Sequence, residues 1–494
     1  MKKNIPPYLQ ALLDLEGGKV LANLVMSVAS DVYARSIVDY SESPVFHYQY
    51  SSISQMFIRI VNGKQDNVLR FVKKAEAFVL HWMSKVSDFS VNGVVRTAVD
   101  CTPVKKPHSD CLPDKQFVYT VNETIKGNKP IEIGYLLSSL NIGFAPKWSV
   151  IASLLRVQSD ESAITVGIAQ LATLCNSSEC KDKLVVNSAD SGYGHAAFLA
   201  PMYAQKNLVN VVRLKSCNVW NQKHRKETGG ANGIYGDCYH LRRKDAKTKY
   251  KNAKTGELAA LKTSIADRPC DQTETYETAT KSGKVIEITL YLHKNMLKRT
   301  KKGHNMKDKP FDLVVVEAKD KATGEVMFGK PIYLAVTGQR KGEISLRAAY
   351  EEHYAHRYDI EPNNRFIKQQ LLLEKFGTPH VEHFDIWLSI ISLTETLLLL
   401  TSTQLNAQQL TCKKKWQRTK TPEIGIETHR PTIAQTRKAA ENLFLTFDST
   451  PFLPQNSKKG KGRKSGTKFT PKPRYSVVRK AKKATKNALK DTKT

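Results

Sequence analysis

The chain has 494 residues, 40% hydrophobic and 25% charged, an ordinary globular composition that excludes a chain disordered throughout. Its formal net charge of +31 argues against a small-molecule metabolic enzyme, because self-repulsion opposes compactness unless a polyanion relieves it. Nucleic acid is the expected counter-charge, bound through phosphates that release condensed counterions, although an anionic membrane or ribosomal RNA fits the charge alone equally well.

Residues 1–90 read as helical, with periodic apolar residues in Tyr8-Leu9-Ala11-Leu12-Leu13 and again from Phe71 to Trp82. Lys2 and Lys3 precede an apolar stretch that Asp14 and Glu16 break, so no secretory signal is expected. Arg70, Lys73, Lys74 and Lys85 interleave the second helical stretch, as a solvated face or a DNA-contacting one.

From about 91 the pattern turns to strands. Val94 to Val99 predicts a strand ending at Asp100, followed by strands at Phe117–Val121, Ile133–Leu140 and Trp148–Val157, the last two joined by a turn around Gly143 to Pro146. A helix at Ala163–Cys175, a strand at Leu184–Val186 running into Asp190, a helix at Ala196–Gln205 and a strand at Leu208–Leu214 complete a mixed α/β pattern. Residues 215–310 are polar and basic, with one clear strand at Val285–Leu292, and are too long for a simple loop; they read as an inserted β-rich subdomain. Strand character returns at Leu313–Val316 and Pro331–Val336, and a broken helical stretch runs from Ile344 to Phe376. Ile386 to Leu400 is apolar but short for a membrane span and carries Glu395, so it reads as a buried helix, with no membrane partner. Ser457 to Thr494 holds 15 Lys and Arg against one acid, with little to bury, and is expected to be a disordered polyanion-binding arm.

Eight cysteines are scattered, and only Cys175-x4-Cys180 is close-spaced, without a second pair at zinc distance, so reduced thiols are expected. His353-x2-His356 and His380-x2-His383 lack a third ligand, and Gly192-Tyr193-Gly194 lacks the third glycine of a dinucleotide loop and reads as a turn.

The most informative segment runs from Tyr354 to Lys368. On a straight helix Tyr354, Arg357, Glu361 and Lys368 fall within an arc of roughly 60°. One face would then offer a hard carboxylate for magnesium or manganese beside three groups that grip phosphate. Arg357 and Glu361 also form a simple i,i+4 pair, the reading of a salt-bridged surface helix. Pro362 should kink this helix near Tyr358, or a new helix should start at about Asp359.

The spacing Tyr-x2-Arg-x3-Glu-x6-Lys resembles the signature of DDE-type bacterial transposases of the group named after insertion sequence four. Ala98-Val99-Asp100-Cys-Thr-Pro and Ser188-Ala189-Asp190-Ser-Gly-Tyr-Gly resemble the contexts of that group's other two acids, and Pro362 departs from its pattern. The resemblance covers about residues 91–380. It implies an α/β fold with a ribonuclease H-like mixed sheet, its core formed by 91–214 and 311–405. The sequence pattern itself places an N-terminal helical, DNA-contacting domain at 1–90, a C-terminal region at 406–456 and a disordered basic tail at 457–494 around that core, and the resemblance puts the family's β-rich insertion at 215–310. It also implies catalytic and metal-binding roles for Asp100, Asp190 and Glu361, which would hold two ions, Mg2+ or Mn2+, about 4 Å apart. Tyr354, Arg357 and Lys368 would grip DNA, and Trp220 or Tyr235 would stack a displaced base. The expected partners are transposon-end DNA and target DNA, with a dimer on paired ends in a cytoplasmic, nucleoid-associated setting. The alternatives are a metal-dependent nuclease of the same fold without strand transfer, and a non-catalytic basic nucleic-acid-binding protein.

Overall fold

The computed structural model describes residues 5–120, 131–145, 147–215, 217–222, 235–241, 250–251, 258–259, 264–280, 283–299, 304, 306–405, 430–447, 466, 468 and 471–478. In chain order these form α1 (Pro7–Leu13), α2 (Gly18–Ser30), α3 (Ile37–Tyr40), α4 (Tyr50–Val61), α5 (Gln65–Met83), β1 (Val94–Lys105), β2 (Gln116–Tyr119), β3 (Ile131–Phe144), β4 (Trp148–Val157), α6 (Ala163–Cys175), β5 (Leu184–Ala189), α7 (Ala196–Met202) and β6 (Leu208–Arg213). There follow β7 (Asn218–Gln222), β8 (Tyr235–His240), β9 (Tyr250–Lys251), β10 (Leu258–Ala259), β11 (Gln272–Ala279), β12 (Val285–Leu297), β13 (Phe311–Asp320), β14 (Ile332–Thr337), α8 (Leu346–Ala348), α9 (Ile360–Gln369), α10 (Val381–Gln404) and α11 (Ile433–Phe447). The protein is thus mixed α/β. The chain divides into two compact units: a helical unit of Met1–Phe89, Cys101–Val166 and Glu361–Thr494, and a sheet unit of Ser90–Asp100 and Gly167–Ile360. Residues 215–310 supply several strands, but in this division they belong to the sheet unit and form no unit of their own.

In the helical unit, α10 is the core. It is apolar on every side, and such a helix must be buried on every side; 94% of its apolar stretch is inside the protein, and it is the one helix among the described residues long and apolar enough to cross a membrane. Several of its hydroxyls are accommodated by back-bonding: Thr394 Oγ1 donates to the Ile390 carbonyl at 2.7 Å and Thr396 Oγ1 to that of Ser392 at 3.0 Å. Against it pack α5, α2, α11 and β4. β3 and β4 form an antiparallel hairpin closed at Phe144–Trp148, with a register shift at Leu140/Asn141. β2 pairs antiparallel with β3. Arg156 is enclosed on β4, its Nε and Nη2 donating to Asp385 at 3.0 and 3.2 Å and its Nη1 to Asp114 at 2.7 Å.

The expected disorder of the tail does not hold for Pro471–Val478. Tyr475 N donates to the Asp110 carbonyl at 3.0 Å and Val478 N to that of Lys115 at 2.7 Å, and Val478 lies parallel to Gln116 at the edge of β2. Tyr475, Val477 and Val478 are strand formers, and an unpaired edge offers them backbone partners. Residues 457–465 and 479–494 lie outside the described residues.

In the sheet unit, β1, β5 and β6 run parallel, and β6, β14, β13 and β12 continue antiparallel. β11 pairs with one end of β12, and β7, itself paired with β8, with the other. The parallel strands are Val-rich because both faces are covered, and all six residues of β5 are buried. Thr97, Asn187, Asn210 and Thr337 form one polar row across β1, β5, β6 and β14. Each is 2% exposed or less, and Asn187 Nδ2 donates to Asn210 Oδ1 at 2.8 Å.

Candidate active site

Asp100 is not at the end of its strand, as the sequence suggests, because β1 runs on to Lys105. Thr102 and Val104 sustain extended structure, and Pro103 falls beyond the segment that pairs with β5. The partnership with β5 stops at Val99–Ala189, so Asp100 stands where that pairing ends. Asp190 is the next residue after Ala189. Continued in the same register, the two strands would set Asp100 and Asp190 on a common face. Ala189 is in register with Val212, which extends the row to Arg213 at the end of β6.

The Asp190 carboxylate is oriented by its own turn: Oδ1 accepts the Gly192 N–H at 2.7 Å. A Cβ at 192 would lie 2.9 Å from that oxygen and displace it, and one at 194 would lie 2.6 Å from the Arg213 backbone carbonyl. The Gly-Tyr-Gly sequence is thus a turn, and one that sets a carboxylate.

The segment carrying the tetrad is built in stages. Ser345 caps α8, its Oγ accepting Ala348 N at 3.1 Å. Ala349–Tyr354 forms a wide π-type turn, Ala355–Asp359 a tight 3₁₀ turn, and α9 then begins at Ile360. Pro362 explains the restart: it cannot donate to the Tyr358 carbonyl, yet it is well tolerated in a first turn. Tyr354 and Arg357 thus precede the break and Glu361 and Lys368 follow it, so the straight-helix arc does not apply.

Tyr354 is fully buried, in an apolar cluster with Val186, Val209, Val211 and Leu334. Burial raises its phenol well above the usual tyrosine range. Arg357 is buried too, with Nη1 4.0 Å from Asp100 Oδ2 and its guanidinium 4.4 Å from the Tyr358 ring centre. Asp100, Asp190, Tyr354 and Arg357 all belong to the sheet unit. Glu361, exposed on the first turn of α9, and half-buried Lys368 belong to the helical unit. Among the described residues no group of three or more His, Cys, Asp and Glu side chains is gathered as a metal site.

Sequence reasoning missed the basic groups behind the Asp190 turn, which are far apart in the chain. Lys298 Nζ donates to the Gly194 carbonyl, and its own burial lowers its pKa. Burial, then Lys298 and Lys215, lower that of His195. Trp220 and Tyr235 meet edge to face at 6.1 Å, with Arg299 5.8 Å from the Tyr235 ring centre. In the His-x2-His pairs, burial pushes His353 down to about 4, His356 pairs with Asp359 at 2.8 Å, and His380 faces Lys472 at 3.1 Å. A scan against protein-family models finds no match to the chain, and a search of curated proteins finds none.

Proposed function

We propose that this chain is a DDE-type DNA transposase with a ribonuclease H-like core, cleaving the strand at transposon ends and joining the freed 3′-hydroxyl to target DNA. The observation that carries the reading is that Asp100 and Asp190 directly follow Val99 and Ala189, the last paired residues of two adjacent parallel strands, with Arg357 Nη1 4.0 Å from Asp100 Oδ2. The Tyr-x2-Arg-x3-Glu-x6-Lys spacing and the charge of +31 support it from the sequence. The β3–β4 antiparallel hairpin in one unit and the parallel β1–β5–β6 set in the other are pairings that such a core uses.

The donor set suits a hard divalent cation: two carboxylates just past the paired ends of adjacent parallel strands, one already oriented by a backbone N–H. Asp100 and Asp190 would hold Mg2+ or Mn2+, with Glu361 as the third acid, and the bound ions would neutralise phosphate charge and acidify water. In cleavage, water adds to phosphorus as the bond to the 3′ oxygen breaks, and that oxygen takes up a proton. In joining, the 3′-hydroxyl replaces water, loses its proton to solvent and displaces a 3′ oxygen of the target. Arg357 neutralises charge next to Asp100, and Tyr354 and Tyr358 keep its guanidinium in place. The Trp220–Tyr235 pair supplies an aromatic surface for an unstacked base.

The test is a cleavage assay with magnesium and with manganese on the DNA that flanks the coding sequence. Asp100→Asn, Asp190→Asn and Glu361→Gln should each abolish cutting while DNA binding persists. Full cutting by any one of them refutes the assignment, and cutting without joining identifies a nuclease of the same fold.

A further inference from the structure

One acid in the core has no part in this scheme. Glu395 lies in the middle of α10 with 0% of its surface exposed. Its Oε2 accepts two hydrogen bonds, from the backbone N–H of Ile151 at 2.9 Å and from Asn363 Nδ2 at 3.2 Å. Ile151 sits in β4 beside the register shift of the β3–β4 hairpin, so an N–H at an irregular point of the ladder is taken up by a helix side chain. Asn363, itself buried, lies in the first turn of α9, two residues after Glu361.

A carboxyl buried this deeply is costly, and an apolar residue of like size would stabilise the core more. What an apolar residue cannot do is accept two donors from two different elements. α9 needs such a tie, because it restarts at Ile360 after the π and 3₁₀ turns and inherits no continuous helix axis. We propose that Glu395 is a positioning residue that, through Asn363, ties the first turn of α9 and hence Glu361 to the backbone of β4. This rests on the reading of Glu361 as a site acid.

The experiment uses the full chain and a duplex carrying the flanking DNA, with cleavage measured as Mg2+ is titrated. Glu395→Ala and Asn363→Ala should each raise the Mg2+ needed for half-maximal cleavage by about tenfold or more, the usual cost of losing a group that orients a ligand. DNA affinity should stay unchanged, and the double variant should be no worse than either single one, because both remove one link. Glu395→Gln keeps an oxygen acceptor and should restore the wild-type Mg2+ dependence. Leu399→Ala, at a fully buried position of the same helix, should lower stability and leave the Mg2+ dependence alone. A wild-type Mg2+ dependence in Glu395→Ala overturns the proposal, as does an equal shift in Leu399→Ala. Should Glu395→Ala not fold, a wild-type dependence in Asn363→Ala overturns it alone. Wild-type cutting by Glu361→Gln would instead refute the reading of the site.

Discussion

The stability of Glu395→Gln relative to the wild type should rise with pH. Burial raises the Glu395 carboxyl from 4.5 to about 8, against the two hydrogen bonds that lower it. The folded protein therefore keeps this group protonated where the unfolded chain ionises it. Its contribution to stability is fully present below 4.5 and is lost progressively as pH rises towards about 8, beyond which the loss is constant. Each pH unit in that window costs ~1.4 kcal/mol, so at pH 7 the wild type is weakened by roughly 3 kcal/mol and at pH 5 by less than about 1 kcal/mol. Glutamine has no proton to take up, and its carbonyl can accept from Ile151 N and Asn363 Nδ2. Denaturant titrations of both proteins at pH 5, 6 and 7 should show the variant's advantage widening by ~1.4 kcal/mol per unit. An advantage that is the same at pH 5 and pH 7 would refute the reasoning, since Glu395 would then have one ionisation state in both the folded and the unfolded protein.

Asp385→Ala removes two of the three hydrogen bonds that hold the enclosed Arg156 guanidinium, and should cost about 3–5 kcal/mol in urea unfolding, with Asp385→Asn costing less. Gly192→Ala places a methyl group against Asp190 Oδ1 in an otherwise ordinary backbone conformation; its melting temperature should stay close to wild type while cleavage falls by about tenfold or more. Truncation before Ser457 should weaken DNA binding and flatten its salt dependence, as expected when many cationic groups are lost, and an unchanged salt slope would remove the tail from the DNA contact. The same truncation deletes the Tyr475 and Val478 backbone bonds, so protection of the Asp110–Gln116 segment against hydrogen exchange should also drop.

Much of the element order was legible because period and length separate the two kinds of apolar run. The strand at Trp148–Val157 and the helix at Ala163–Cys175 fall where the pattern puts them. The ends of β1 were not legible, since Asp100 interrupts the apolar run while the backbone stays extended through Lys105. The restart of the helix was signalled by Pro362, but the wide turn at Ala349–Tyr354 has no local signal, and with it came the burial of Tyr354, a residue that serves equally well as a phosphate ligand or a core side chain. Asp100 and Asp190 looked unremarkable alone and gain their meaning from a register between strands that no spacing reveals. Glu395 was visible as a lone acid in an apolar run, but Ile151 lies 244 residues away in the chain, beyond any periodicity argument.

The polar row of Thr97, Asn187, Asn210 and Thr337 bears on how the chain avoids folding wrongly. Strands as rich in valine as β5 and β6 would bury much the same surface if they slid past one another, so hydrophobicity alone barely separates one alignment from the next. A slip of one residue would break the Asn187–Asn210 amide pair and strand its polar atoms in the core, a loss of about 1–3 kcal/mol for each. The same slip would turn Asp190 to the opposite face from Asp100. The row thus acts as a check on strand alignment: misaligned sheets lose the amide pair, and the alignment that keeps it is the one that sets Asp100 and Asp190 on a common face.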